Sequence, residues 1–227
     1  MPTAQVNGIG IYYEVHGSGD PLVLIGGLGA DVSLAAPLTG RLARRYRVVA
    51  LDNRGAGRTD KPDEPYSIEL MAADTRGLLD ALGIGRAHLL GISMGGRIAL
   101  EIALSHPDRV DRLVLVSTSA AGVGTARVSL AKRLRYRVRR DRQPPYAYLR
   151  QRQASLSYDA TGRLGGVQAP ALVLHGRADR SIPLPMGEAL HAGIPGAELE
   201  VYPGGHMFFM SGAQQPFLER VEGFLAG

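Results

Sequence analysis

The chain contains no cysteine. That absence excludes a disulfide framework, a thiolate metal site and a thiol nucleophile together. No apolar run reaches the roughly 18 residues that a membrane span needs, so no span is expected. The first residues, Met1-Pro2-Thr3-Ala4-Gln5, lack the basic and apolar regions of a secretory signal, and a cytoplasmic location is expected on that ground. There is no internal repeat and no low-complexity tract. G-x-x-x-x-G-K and H-E-x-x-H are both missing, so neither a bound phosphate nor a zinc ion is implied, and no cofactor is expected. Gly55-Ala56-Gly57 follows a strand-like run, but Asp60 stands where the third glycine of a dinucleotide fingerprint belongs, which argues against a nucleotide.

What is present is enough to fold. With 45% apolar and 21% charged residues, the chain can bury sufficient apolar surface to offset its ordering entropy. Its 227 residues fit one α/β domain, expected to cover 1–227. Glycine, at 30 residues, is nearly twice its usual share of about 7%, as many tight strand-to-helix turns would require. The net charge is +5, but Gly122–Arg152 alone carries ten Lys/Arg and one acid. The rest of the chain is therefore net acidic. A basic character confined to one segment does not describe a nucleic-acid-binding domain.

A hairpin is expected at the start, where Gln5-Val6 and Ile9–Tyr13 flank Asn7-Gly8, a pair suited to the positive φ angles of a type I′ turn. Short apolar runs follow at Leu22–Ile25, Val48–Leu51, His88–Leu90, Leu113–Val116 and Ala171–Leu174. Runs without polar alternation predict strands covered on both faces, as in a parallel sheet. Helical stretches lie between them at Leu34–Arg45, Ile68–Leu82 (with Ser67 as N-cap), Arg97–Leu104, Met186–Ala192 and Gln214–Leu225. Alternating strands and helices predict an α/β fold with a mostly parallel sheet. The alternation breaks from about 120 to 163. Leu130, Leu134 and Val138 recur there at helical spacing, with Arg133, Arg137 and Arg140 on another face, and a second helix is expected over Tyr146–Leu156. This reads as a helical insert on the α/β core.

The strongest chemical signal is Gly91-Ile92-Ser93-Met94-Gly95, a G-x-S-x-G with a strand before it and a helix after it. A serine on such a turn projects its hydroxyl above the sheet. It is a weak nucleophile without a base. Of six histidines, His206 lies in a late loop between the strand-like Leu199–Tyr202 and the last helix. His191 reads as a surface residue of a helix. His175, ending a strand, reads as a structural residue close to the site. The base needs a carboxylate to orient it and stabilise its charged form. Asp179 stands just past the end of a core strand, where ligand-facing residues of open α/β sheets gather. The order is then Ser93, Asp179, His206. The backbone N–H groups of Leu28 and Met94 are expected to receive the oxyanion. Gly27, Leu28, Met94 and Met207 are expected to touch substrate.

These segments, together with Tyr12–Gly17, Asp52–Asp60 and Ser105–Val110, make the chain resemble the α/β-hydrolase fold family over nearly its whole length outside the insert. Within it, small bacterial carboxylesterases, 3-oxoadipate enol-lactonases and cofactor-free haloperoxidase-like perhydrolases are the most similar. The resemblance implies a Ser-His-Asp hydrolase of a small-molecule ester or lactone, with the insert as its cap and Arg54 tying down its loop. Perhydrolysis, thioester hydrolysis, C–C cleavage or a non-catalytic ligand receptor on this fold are the alternatives. A dehalogenase would need an aspartate in place of Ser93. The chain departs from the family pattern at Gly26-Gly27, where many members have His-Gly, and in the shortness of the insert. No feature of the sequence specifies an oligomeric state.

Overall fold

The structure, a computed structural model, describes residues 2–123 and 143–227. The expected helix around Leu130–Val138, with Arg133, Arg137 and Arg140, lies outside the described residues. The chain opens on an antiparallel hairpin, β1 (Thr3–Val6) and β2 (Ile9–His16). Asn7 and Gly8 turn it with φ of +48° and +78°, as a type I′ turn requires. There follow β3 (Pro21–Ile25), α1 (Val32–Leu42), β4 (Arg47–Leu51), α2 (Ile68–Ala81), β5 (Ala87–Ile92), α3 (Met94–Ser105) and β6 (Val110–Val116). After 143 come α4 (Pro145–Ser157), β7 (Ala171–Gly176), α5 (Leu184–Gly193), β8 (Glu198–Tyr202) and α6 (Gln214–Ala226).

All eight strands form one sheet in the order β1-β2-β4-β3-β5-β6-β7-β8. Pairing is antiparallel from β1 to β2 and from β2 to β4, and parallel everywhere else. The continuous apolar runs follow from burial on both faces. In β3, Val23 and Ile25 pack with residues of α2 and α3, while Leu22 and Leu24 pack with residues of α1 and α6. Leu113 and Leu115 of β6 face the first side, Val114 and Val116 the second, with the period of two that a strand imposes. Each fully buried aliphatic side chain contributes about 1.5–3 kcal/mol.

Two helix boundaries differ from the sequence reading. The first helix begins at Val32, because the Asp31 carboxylate caps it by accepting from the Ser33 N–H at 3.1 Å. It runs past the internal Pro37 and ends at Leu42. The chain then descends through tight turns, with the Arg44 and Arg45 N–H groups donating to Arg41 and Leu42 carbonyls. The third helix starts directly at Met94, so the strand, Ser93 and the helix follow one another without a linker. Ser67 caps α2 as expected, accepting from the Leu70 N–H at 3.0 Å.

Candidate active site

Ser93 sits at the carboxyl end of β5 with φ +56° and ψ −118°, a conformation costly for a residue with a Cβ. It is held by the sheet: its N–H donates to the Val116 carbonyl at 2.9 Å, and its carbonyl accepts from the Thr118 hydroxyl at 2.6 Å. The flanking glycines are required by space. A Cβ on Gly91 would stand 2.4 Å from the Gly95 oxygen, and one on Gly95 would stand 2.1 Å from the Ile25 oxygen. The G-x-S-x-G spacing is thus the imprint of a turn pressed between β5, β3 and its own helix.

Asp179 and His206 arrive on the loops that follow β7 and β8. Those loops are tied together, since Arg177 and Ala178 donate their N–H groups to the Tyr202 and Gly204 carbonyls at 2.9 and 2.8 Å. Just past His206, Phe208 is buried, stacked on Tyr202 at 5.0 Å and edge-on to Phe217 at 5.8 Å. This anchors the imidazole loop to α6. His206 Nδ1 lies 2.8 Å from Asp179 Oδ2, and His206 Nε2 lies 3.1 Å from Ser93 Oγ. The other Asp179 oxygen accepts the Ser181 and Ile182 N–H groups at 2.8 and 3.0 Å. Burial pushes the Asp179 carboxyl up, but the His206 contact and the two backbone donors outweigh it and hold it below the ordinary range. The group is therefore ionised at neutral pH.

His175 is fully buried beneath this acid. Its Nε2 lies 2.9 Å from the Ile182 carbonyl oxygen and 3.7 Å from Asp179 Oδ2, a structural placement beside the site. His191 is exposed on α5, its Nδ1 2.8 Å from the Ala197 carbonyl oxygen.

Gly27 lies against Ser93, where a Cβ would come within 3.3 Å of the serine Cβ. The Leu28 and Met94 amides have no backbone carbonyl partner among the described residues, as befits donors kept for a ligand. Met94 borders the cavity, yet it is 1% exposed and packs in the core shared by α2 and α3. Met207 is exposed at the cavity rim.

Several residues at this site were not singled out by sequence reasoning. Asn53 donates to the Gly26 carbonyl at 2.9 Å. Gln151, fully buried on α4, accepts the Gly29 N–H at 3.0 Å and the Gln143 amide at 2.8 Å, and donates to the Arg54 carbonyl at 2.7 Å. The 26–29 loop is thus gripped from both sides by amide side chains. Arg54 is in turn clamped by Asp74, at 2.7 and 2.9 Å, and by Glu64 at 2.7 Å, the loop-holding role expected of it. The contacts that grip the loop join residues distant in sequence; Gln151 and Gly29 are 122 residues apart, and Asn53 and Gly26 are 27 apart.

Above Ser93 opens a cavity of about 640 Å³, walled by the 26–31 loop, Ser93, His206 and the α4 side chains Tyr148, Arg152 and Ser155. A second hollow, of about 440 Å³, lies between Asp20, Arg86, His88 and Asp111 at the opposite ends of the strands. Among the described residues no group of three His, Cys, Asp or Glu side chains is arranged to hold a metal ion. No described helix is long and apolar enough to cross a membrane.

An eight-stranded, mostly parallel sheet with its candidate residues gathered past the carboxyl ends of the strands matches what comparison with known proteins gives. The chain belongs to the alpha/beta hydrolase fold family, whose sequence model matches residues 20–162. It is 30% identical over 246 residues to RutD of Azorhizobium caulinodans, provisionally named a carbamate hydrolase, with 92% of each chain covered. It is also similar to the enol-lactonase of Burkholderia xenovorans LB400, at 29% identity and a TM-score of 0.88, with both chains covered completely. A third likeness is to Est816, described as an N-acyl homoserine lactone degrading enzyme, at 27% identity and a TM-score of 0.86 over 98% of this chain and 100% of that one. These relatives place the chain among hydrolases of this fold.

Proposed function

We propose that the chain is a serine hydrolase that opens a carboxylic ester or lactone through an acyl-enzyme. The observation that carries this reading is the continuous contact from Asp179 through His206 to Ser93 Oγ, at 2.8 and 3.1 Å. In the first half-reaction Ser93 Oγ attacks the carbonyl carbon while His206 Nε2 takes its proton. The resulting oxyanion is met by the Leu28 and Met94 amides. His206 then gives the proton to the leaving oxygen as the C–O bond breaks. In the second half-reaction His206 deprotonates a water, which attacks the acyl carbon, and Ser93 recovers its proton. Asp179, ionised and buried, orients the imidazole and stabilises its cationic form.

In this reading residues 120–163 are a cap on a single hydrolase domain, and Gly27, Leu28 and Met207 meet the substrate. The substrate is a small molecule, the reaction needs no cofactor, and the protein works in the cytoplasm without binding nucleic acid. The likeness to an enol-lactonase and to an N-acyl homoserine lactone degrading enzyme favours lactones within the ester class. The likeness to RutD makes carbamates the second substrate class to include. A fluorophosphonate probe is expected to label Ser93, and a panel of p-nitrophenyl esters, lactones and carbamates to show turnover that Ser93→Ala lowers by on the order of 10³-fold or more. Labelling with no turnover across the panel would overturn the hydrolytic reading in favour of a receptor.

A further inference from the structure

Arg97 stands four residues after Ser93 on α3, one helical turn further on. Helical side chains lean toward the N-terminus, so Arg97 leans back over the serine turn. The residue borders the cavity that holds Ser93 and His206, and it is only 3% exposed. A buried cation is normally matched by a carboxylate. The partners of Arg97 are all neutral. Nη1 reaches the Ser155 carbonyl at 3.3 Å and the Ser155 hydroxyl, and Nη2 donates to the Ser119 hydroxyl at 2.7 Å. The Nε–H has no acceptor among the described residues. The nearby acid Glu101 is already engaged by Arg163 at 2.7 Å, Tyr158 at 2.9 Å and Ser105 at 2.6 Å. Two more arginines, Arg152 and Arg180, border the same cavity, against one carboxylate, Asp31, among the described lining residues.

We infer that Arg97 is the binding residue for a carboxylate carried by the substrate, so that the ester or lactone processed here is an anion. The ester part of this inference rests on the hydrolase reading; the carboxylate part does not. Burial lowers the Arg97 guanidinium to about 10, which leaves it charged at neutral pH and without a fixed counter-ion. A planar fork of N–H donors suits a carboxylate. The two serine hydroxyls and one carbonyl hold the fork in place without neutralising it. A carboxylate entering the cavity would supply the missing charge partner in a site of low dielectric, where such a contact is worth most. A neutral substrate of the same size would leave the cation buried and unmatched.

Two substrates separate this from a structural role: 4-nitrophenyl glutarate with its far carboxylate free, and its methyl ester. The wild-type protein is expected to favour the anion in kcat/KM. Arg97→Met should lower the anion-to-neutral ratio by on the order of 100-fold, and Arg97→Lys should keep part of it. A ratio unmoved by Arg97→Met, with both substrates slowed alike, overturns the inference, because a mere clip between α3 and Ser155 predicts that result. A second measurement needs no turnover: calorimetric binding of glutarate to Ser93→Ala protein. Binding that is lost in the Ser93→Ala, Arg97→Met double variant sustains the anion site even if no ester is ever cleaved. Ester turnover without glutarate binding sinks the anion site and leaves the hydrolase reading standing. Inorganic phosphate binding more tightly than glutarate would overturn the carboxylate assignment. Should Arg97→Met fail to fold, the Arg97→Lys ratio and the wild-type glutarate affinity still decide.

Discussion

Ser93 carries two burdens at once, the nucleophilic role proposed for it and an unfavourable backbone. At most positions glycine is less stable than alanine by roughly 0.5–1 kcal/mol. At Ser93 the order should reverse, because φ +56° with ψ −118° strains any residue with a Cβ by about 1–3 kcal/mol. Ser93→Gly is expected to melt above Ser93→Ala by a few degrees, both being inactive. Thermal melts of the two variants check this, and alanine melting higher would remove the strain argument. At this scale the sequence was most readable where chemistry and sterics coincide. Ser93 announces itself because the glycines around it are forced by the Gly95 and Ile25 oxygens. Asp179 and His206 stood out by their positions just past strand ends. Arg97, Asn53 and Gln151 did not, since an arginine on a helix or an amide in a loop has no local signature. Only the fold brings Gln151 to Gly29 and Asn53 to Gly26.

At the scale of elements, α4 reaches the 26–29 loop through one side chain. Gln151 joins the helix to the 26–29 loop and to the Arg54 loop, so it fixes where the Leu28 amide stands. Gly26 has no side chain to hold this loop, and Asn53 and Gln151 bind its backbone instead. Gln151→Leu keeps the volume but leaves the Gly29 N–H, the Arg54 carbonyl and the Gln143 amide without partners. With the Leu28 amide in its proposed oxyanion role, displacing it should lower kcat by about 10-fold or more, with a smaller change in KM. A boronic-acid transition-state analogue should weaken in the same proportion. Unchanged kcat in a folded variant would show that the loop holds itself. The elements themselves were legible because the strands are apolar on both faces and the helices on one. What escaped was the start of α1, hidden because Asp31 reads as a loop residue until its carboxylate is seen capping the helix, and the start of α3, hidden by the two glycines of the elbow.

For the molecule as a whole, titration of buried acids sets the response to pH. Asp179 and Glu101 are both pushed up by burial and pulled further down by their hydrogen bonds, Glu101 chiefly by Arg163. A carboxyl with a depressed folded-state pKa stabilises the fold fully above its unfolded value, near 4, and loses that contribution as pH falls through the folded one. Asp52 acts in the opposite sense, since burial raises it above the ordinary range despite its Arg58 and Val32 N–H donors. Buried His88, which burial holds below its ordinary value, adds a loss of stability that starts as pH falls through about 6.5, and the two depressed acids against one raised acid predict a further drop in melting temperature below about 4. Glu101→Gln should shallow that drop. A melting curve that rises on acidification would show that Asp52 dominates. The sheet order was beyond the reach of the sequence, because every parallel run has the same apolar character and nothing local says that β4 lies between β2 and β3.

Ser93 and His206 are separated by 113 residues of chain, and the strands that lead to Ser93, Asp179 and His206 lie successively further from the middle of the sheet toward one edge. A ribosome adding about 5–20 residues per second takes roughly 6–23 seconds to cover that distance. Throughout that interval the growing polypeptide owns the serine but not the His206 imidazole that deprotonates it in the proposed mechanism, and a hydroxyl alone attacks esters poorly. In the proposed mechanism the newborn chain is therefore inert toward the esters around it, and gains its reactivity only once the last strand and its loop have docked.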